Sequence, residues 1–239
     1  MYYAGYPGSF PQPHGAPVDF AVPFLKSLVL VPLTLLPIIN PLSAAPVFIA
    51  TAGSNPVVVR RMARQIAINS WCILVVSMLV GIYVLDIFGI SLPIVRLGGG
   101  LLVASSGWRM LNRTGGSDVQ EAVAHREVDL TRTEIVRRSF FPITFPLTTG
   151  PGSIAAAIAL GVHLPREPVL YLLNASIAVV GVAVTVAFVY LCYRYAAGLL
   201  AMLGEIGTMV IMRLLAFILL CIGIEIMWAG WAALNHLKP

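Results

Sequence analysis

A helix needs roughly 20 consecutive apolar residues to cross the hydrocarbon of a bilayer. This sequence offers six such runs, over residues 22–50, 66–89, 93–111, 140–160, 169–191 and 209–232. Only 10% of the 239 residues are charged and 59% are hydrophobic. A soluble domain carries about 25% charged residues, so lipid is the natural solvent for the outside of this chain. The expected fold class is an all-α membrane protein with six transmembrane helices. The net charge of +5 would point to nucleic acid in a soluble protein. Here the arginines stand in the connections between runs, without interleaved aromatics, and no nucleic-acid partner is expected.

Arginine placement orients such a chain, because cytoplasmic loops are enriched in Lys and Arg. Arg60, Arg61, Arg64, Arg109, Arg113, Arg126, Arg132, Arg137, Arg138 and Arg194 all flank connections that fall on one side of a six-span plan. The opposite side has Arg96, Arg166, Lys238 and Lys26. The Arg-rich loops are therefore expected in the cytoplasm of a cell-membrane (inner-membrane) protein, with both termini outside. Residues 1–19 are rich in Pro, Gly and Tyr and lack the basic start of a secretory signal. They are expected to be a retained, disordered tail.

The first and fourth runs differ from the others in being interrupted by prolines: Pro32, Pro37, Pro41 and Pro46 in one, Pro142, Pro146 and Pro151 in the other. Proline inside a helix removes a backbone hydrogen bond and clashes with the preceding turn. Within a membrane, such breaks are tolerated where they are buried in protein or line a watered cavity. The two breaks also match. Asn40-Pro41-Leu42-Ser43 aligns with Gly150-Pro151-Gly152-Ser153, small apolar residues follow each, and the third run of each half opens with Arg-Leu, at Arg96-Leu97 and Arg213-Leu214. Residues 20–111 and 139–232 thus read as two three-helix repeats with Pro/Gly-broken first helices. They are joined by a polar cytoplasmic stretch, 112–138, containing a short helix, and followed by a tail over 233–239. An odd number of spans per repeat makes the repeats inverted, an architecture of secondary transporters.

The residues at the breaks also carry a resemblance. Asn40-Pro-Leu-Ser-Ala-Ala-Pro-Val-Phe48 resembles the Asn/Asp-Pro-Ile/Leu-Gly-x-x-Pro-Ile-Phe signature of the MarC family of integral membrane proteins. Phe145-Pro-Leu-Thr-Thr-Gly-Pro-Gly-Ser-Ile154 is similar to that family's second signature, and Arg96-Leu-Gly-Gly-Gly-Leu-Leu102 to its third-span opening. The resemblance covers about residues 20–232. It implies a small exporter of the lysine-exporter-like grouping, some members of which are regarded as neutral amino-acid transporters. Asn40, Pro41 and Pro46 match the first signature and Gly150, Pro151 and Gly152 the second. Ser43 replaces the family's usual Gly, which would make the first break less open.

The expected substrate site is therefore Asn40, Pro41, Ser43, Pro46, Thr148, Thr149, Gly150, Pro151, Gly152 and Ser153. Free N–H groups at half-helix N-termini suit a carboxylate and free carbonyls suit an ammonium. The hydroxyls of Ser43, Thr148, Thr149 and Ser153 could satisfy freed backbone or contact substrate. Glu225, inside the sixth run, has two readings: a proton-coupling carboxylate, or a partner of Arg213 or Arg96. Asp86 ends the second run and reads as interfacial. Cys72, Cys192 and Cys221 stand alone in apolar runs and read as small core residues. His125 and His163 have no metal-ligand companion, so no metal and no cofactor is expected. The small residues of 98–107 suit close helix packing, and Trp108, Trp228 and Trp231 read as interface anchors.

The function expected from these features is secondary transport or export of small neutral or zwitterionic metabolites such as amino acids, rather than an enzyme activity. Its partners would be the bilayer, the small-molecule substrate, a coupling ion and further copies of the chain as a homo-oligomer. The alternatives are a non-transporting regulatory or docking protein that uses 112–138, and a membrane enzyme acting on a lipid-linked substrate through Glu225 or Asp86.

Overall fold

The computed structural model describes residues 21–112, 132–162 and 168–235. The expected tails and most of the connection 112–138, with His125 and also His163, lie outside the described residues.

Every regular element among the described residues is helical. In chain order they are α1 (Ala21–Ile39), α2 (Pro41–Ala52), α3 (Pro56–Ile87), α4 (Leu92–Leu111), α5 (Arg132–Arg138), a wide π-helical segment (Ser139–Thr148), α6 (Pro151–Val162), α7 (Pro168–Arg194) and α8 (Ala196–Leu234). Pro56–Ile87, Ala175–Arg194 and Ile206–Leu234 are each long and apolar enough to cross a membrane. Two further candidates are bent pairs: Leu28–Ile39 with Pro41–Ala52, turning by 56°, and Thr133–Thr148 with Pro151–Gly161, turning by 67°. The expected third span falls on α4, which is not among the helices apolar enough to cross a membrane. Its 20 residues reach about 30 Å at 1.5 Å each, but Arg96, Arg109 and its glycines and serines make it less apolar than the other five.

Two helices start well before the apolar runs do. α3 begins at Pro56 because the Asn55 side chain accepts the Val57 N–H at 2.9 Å, and a proline in the first turn has no N–H to leave unpaired. That turn makes Arg60, Arg61 and Arg64 helical. α3 ends in a Schellman turn, with the Ile90 N–H donated to the Leu85 carbonyl and Gly89 left-handed at φ 65. α8 reaches back to Ala196 through a kink at Gly204, φ 66. Arg213-Leu214 therefore lies inside α8, whereas Arg96-Leu97 lies near the start of α4.

α4 and α8 run antiparallel in the most extensive helix–helix contact among the described residues. A Cβ on Gly100 would fall 2.6 Å from Met227 N, one on Gly107 2.6 Å from Leu220 N, and one on Gly230 2.7 Å from Pro93 O. Gly223 meets Ala104 in the same way. Pro93, Gly100 and Gly107 on one helix and Ala216, Gly223 and Gly230 on the other are each spaced by seven. Backbone thus rests on backbone every second turn, the small-residue mode of membrane helix association. α3 packs on α6, the π segment and α7; α7 packs on α1, α2 and α3; α4 touches α6, and α8 touches α2. Half of α7's apolar stretch is buried, against 17% of α8's, so α7 is central and α8 peripheral.

The outside is apolar: Leu33, Ile87, Phe88, Leu172, Met202 and Phe217 are all exposed, as a lipid-facing surface requires. This corrects one expectation. Cys192 is buried, but Cys72 and Cys221 are exposed; helices apolar on every side give no sequence cue to which face turns inward. Trp108, Trp228 and Trp231 are exposed, and Asp86 is exposed at the end of α3. One end of the bundle collects Arg60, Arg61 and Arg64 of α3, Arg137 and Arg138 of α5, and Arg194 of α7.

Adding a side chain at the α4–α8 contact is expected to destabilise the fold. Gly100→Val should cost on the order of 1–3 kcal/mol through overpacking. Gly98→Ala, whose added Cβ meets nothing within 4 Å, should stay within roughly 0.5 kcal/mol of the parent. Thermal unfolding of both variants in detergent checks this; equal melting would remove the contact's importance.

Candidate functional site

The first break is a single residue. α1 closes with the Asn40 N–H donating to Leu36 O at 2.9 Å, and Asn40 then takes a left-handed backbone, φ 43 and ψ 65. Among non-glycine residues that conformation is favoured by Asn and Asp. Pro41, which has no N–H to extend α1, starts α2. The Asn40 carbonyl is held twice, by the Ser43 N–H at 3.1 Å and the Ser43 hydroxyl at 2.8 Å.

The second break has the same start to its outgoing helix. Pro151 opens α6, and the Gly150 carbonyl accepts the Ile154 N–H at 3.1 Å and the Ser153 hydroxyl at 2.9 Å. A Cβ on Gly150 would fall 2.7 Å from Pro146 O, so glycine permits the close return of the chain there. The approach differs from the first break. Residues 141–148 read Phe-Pro-Ile-Thr-Phe-Pro-Leu-Thr, a tandem Phe-Pro-x-Thr. Each Phe is extended, φ −121 and φ −118, because a residue before proline avoids the helical region. The ladder widens to five residues and threonine hydroxyls fill it. Thr144 donates to Ser139 O at 2.7 Å, Thr148 to Ile143 O at 2.7 Å, and Thr149 to Thr144 O at 3.0 Å.

Tyr193 near the end of α7 joins α2 to the second break. Its ring is fully buried and stacks on Phe48 of α2, with centroids 4.8 Å apart. Its hydroxyl lies 2.6 Å from Thr148 Oγ1. A hydroxyl has one proton, and that of Thr148 goes to Ile143 O, so Tyr193 is the donor. Ile39, Ala44, Ala45, Phe48, Ile143, Ala156, Ala157 and Tyr193 belong to one buried cluster. Asn40, Thr148, Thr149 and Ser153 are all buried, Ser43, Pro46, Gly150 and Gly152 are half-buried, and Pro151 is exposed.

These bonds show where the hydroxyl protons at the breaks go. Ser43, Thr148, Thr149 and Ser153 each give their proton to a backbone carbonyl. Asn40 is different. Its amide Nδ2 is buried and has no acceptor among the described residues. Ser70 Oγ, on the buried stripe of α3, is the other buried side-chain atom without a partner among the described residues. The site can therefore offer a neutral amide donor beside the N-terminus of α2, a setting for a carboxylate or carbonyl oxygen.

The sequence profile of the MarC family of integral membrane proteins matches residues 25–234. The chain belongs to the MarC family. The inner membrane protein MarC of Salmonella typhimurium is 30% identical over 199 residues, covering 82% of this chain and 90% of the relative. The protein of the same name from Escherichia coli O139:H28 is 30% identical over 210 residues with the same coverage, and that of Citrobacter koseri 29% over 208. No solved structure matches. The match spans both breaks, so MarC membership and the paired geometry concern the same part of the chain.

Glu225 is exposed on α8 and lies outside the buried cluster that joins the breaks. It makes no ion pair with Arg213 or Arg96 among the described residues. Tyr193 and the Phe-Pro-x-Thr tandem were absent from the sequence expectation. The tandem was visible as a four-residue repeat, but Tyr193 stands 45 residues from its partner Thr148 and had no local signal. Thr148→Val, which leaves Ile143 O and the Tyr193 hydroxyl without their partner, is expected to cost about 1–3 kcal/mol. In a double-mutant cycle with Tyr193→Phe, the coupling should be near the ~0.6 kcal/mol average of membrane-protein hydrogen bonds and below ~1.7 kcal/mol. Reversible unfolding in mixed micelles measures both; a coupling of zero would mean the 2.6 Å contact does not stabilise the fold.

Proposed function

We propose that this MarC-family protein is a secondary transporter or exporter of small neutral or zwitterionic metabolites such as amino acids. It does so with six spans arranged as two inverted repeats, 20–111 and 139–232. The buried Asn40 amide carries this assignment. A donor without a partner inside a protein costs about 1–3 kcal/mol, and a bound carboxylate or carbonyl oxygen would satisfy it. No charged side chain is part of the matched breaks, which favours a ligand without net charge.

The contact pattern supports the inverted repeat. Exchanging the halves maps α4 onto α8, α3 onto α7, and α1 with α2 onto the π segment with α6. α4 and α8 pack antiparallel, and so do α3 and α7, with Arg60 beside Tyr190 at one end and Tyr83 beside Tyr171 at the other. The contacts of α3 with the π segment and α6 then correspond to those of α7 with α1 and α2. In this scheme the chain sits in the inner membrane, as its named relatives do, with the Arg-rich end cytoplasmic by the positive-inside rule and both termini outside. Transport proceeds by rocking of one repeat against the other. Tyr193, which touches α2 and the second break, must change partners as they move. Glu225 is a position at which a coupling proton could be tested separately.

Counterflow of labelled neutral amino acids into liposomes loaded with the unlabelled solute tests the proposal. The parent should accumulate at least one of them. Asn40→Gly keeps the left-handed backbone but removes the amide, and should reduce exchange about tenfold, the equivalent of roughly 1.4 kcal/mol. Exchange at the parental rate in Asn40→Gly would take the site away from the first break. A parent inert across the whole panel would sink the neutral amino-acid assignment and shift weight to a docking role for 112–138.

A further inference from the structure

We infer that the seam between α3 and α7 at the Arg-rich end is a binding groove for one anionic phospholipid. The groove has a volume of about 690 Å³ and is chemically graded. Arg60 and Arg64 stand at one end, and Ile68, Trp71, Val186 and Ala187 continue it along the two helices. That volume falls within the roughly 300–1,000 Å³ typical of small-molecule sites. A polar head and an apolar tail are the two chemistries it can satisfy together.

Charge fixes the sign of the head. Arg60 and Arg64 are four residues apart on α3, so they lie on one face and repel each other. Arg194 of α7 is held against the same end, donating to the Tyr190 hydroxyl at 2.8 Å, and Arg60 approaches that hydroxyl too. Neither Arg60 nor Arg64 has a carboxylate partner among the described residues. Guanidinium groups stay protonated and bind phosphate in a forked geometry. A phosphate between them would relieve the repulsion. A second groove of about 600 Å³ shares Arg64 and Ile68 and adds Arg61 and Gln65, extending the cationic rim toward α5.

The rest of the seam fixes the tail. Below the arginines the lining side chains are apolar, and Ile68 and Trp71 are exposed on the outside of the bundle, where an acyl chain can enter sideways from the bilayer. A soluble phosphate would use the arginines and leave this part empty. Basic pockets between membrane helices are a recurrent setting for anionic headgroups.

The test uses the full chain purified in neutral detergent. Native mass spectrometry counts retained lipid, and thermal unfolding follows added phosphatidylglycerol, phosphatidylcholine of the same chains, or glycerol phosphate. One phosphatidylglycerol should be retained about tenfold more tightly than phosphatidylcholine, and it should raise the melting temperature. Arg60→Gln with Arg64→Gln should abolish that preference, whereas Arg213→Gln, on an exposed face of α8, should keep it. Ala187→Trp fills the apolar part and leaves both arginines, and should also lose the lipid. Retention in Ala187→Trp, equal retention of the two lipids, or full stabilisation by glycerol phosphate would each overturn the inference.

Discussion

The structure depends on keeping backbone carbonyls partnered where two membrane helices are broken. Each unsatisfied polar group in hydrocarbon costs several kcal/mol, and seven prolines interrupt the two broken runs. The chain meets this requirement with its own short hydroxyls. Ser43 and Ser153 hold the carbonyl at the start of α2 and α6, and Thr144, Thr148 and Thr149 reach five residues back along the π segment. With those protons committed, the Asn40 amide is left as the buried donor at the breaks without a partner among the described residues.

The broken helices need rigid support, and the α4–α8 pair is placed to give it. Helices that meet backbone to backbone through Gly100, Gly107, Gly223 and Gly230 cannot slide without collision. α4 also carries the start of α6, because Gly152 lets α6 approach Val103 and Gly99 lets α4 approach Ala155. On the other side, Tyr193 brings α7 against α2 and the second break. A stiff pair and a central helix thus flank two bent ones, which concentrates the irregular backbone in one buried cluster.

Much of this was legible in the sequence, for physical reasons that differ by element. Proline and glycine act locally, so both breaks could be placed to within a few residues, while the helix starts at Pro41 and Pro151 came from the structure. Apolar length placed α4 and α7 almost to their ends. The N-terminal turns of α3 and α8 were not legible from apolarity, because Asn55 capping and the Gly204 kink extend helices into polar sequence. Which faces turn inward was also hidden: Cys72 and Cys221 sit in runs as apolar as that of Cys192, and only tertiary packing separates them. Tyr193 was hidden because its contacts are long-range, and the acceptors of the hydroxyls at the breaks could be read only from the folded chain.

The left-handed backbone at Asn40 also limits how this position can drift over generations. Only glycine, asparagine and aspartate tolerate it readily. Of these, glycine brings no hydrogen-bonding side chain, and aspartate brings an acceptor and a charge. Asparagine alone combines the shape with a neutral donor. Backbone geometry and side-chain chemistry are therefore set together by one residue, and a change that alters the chemistry while preserving the shape has only two places to go.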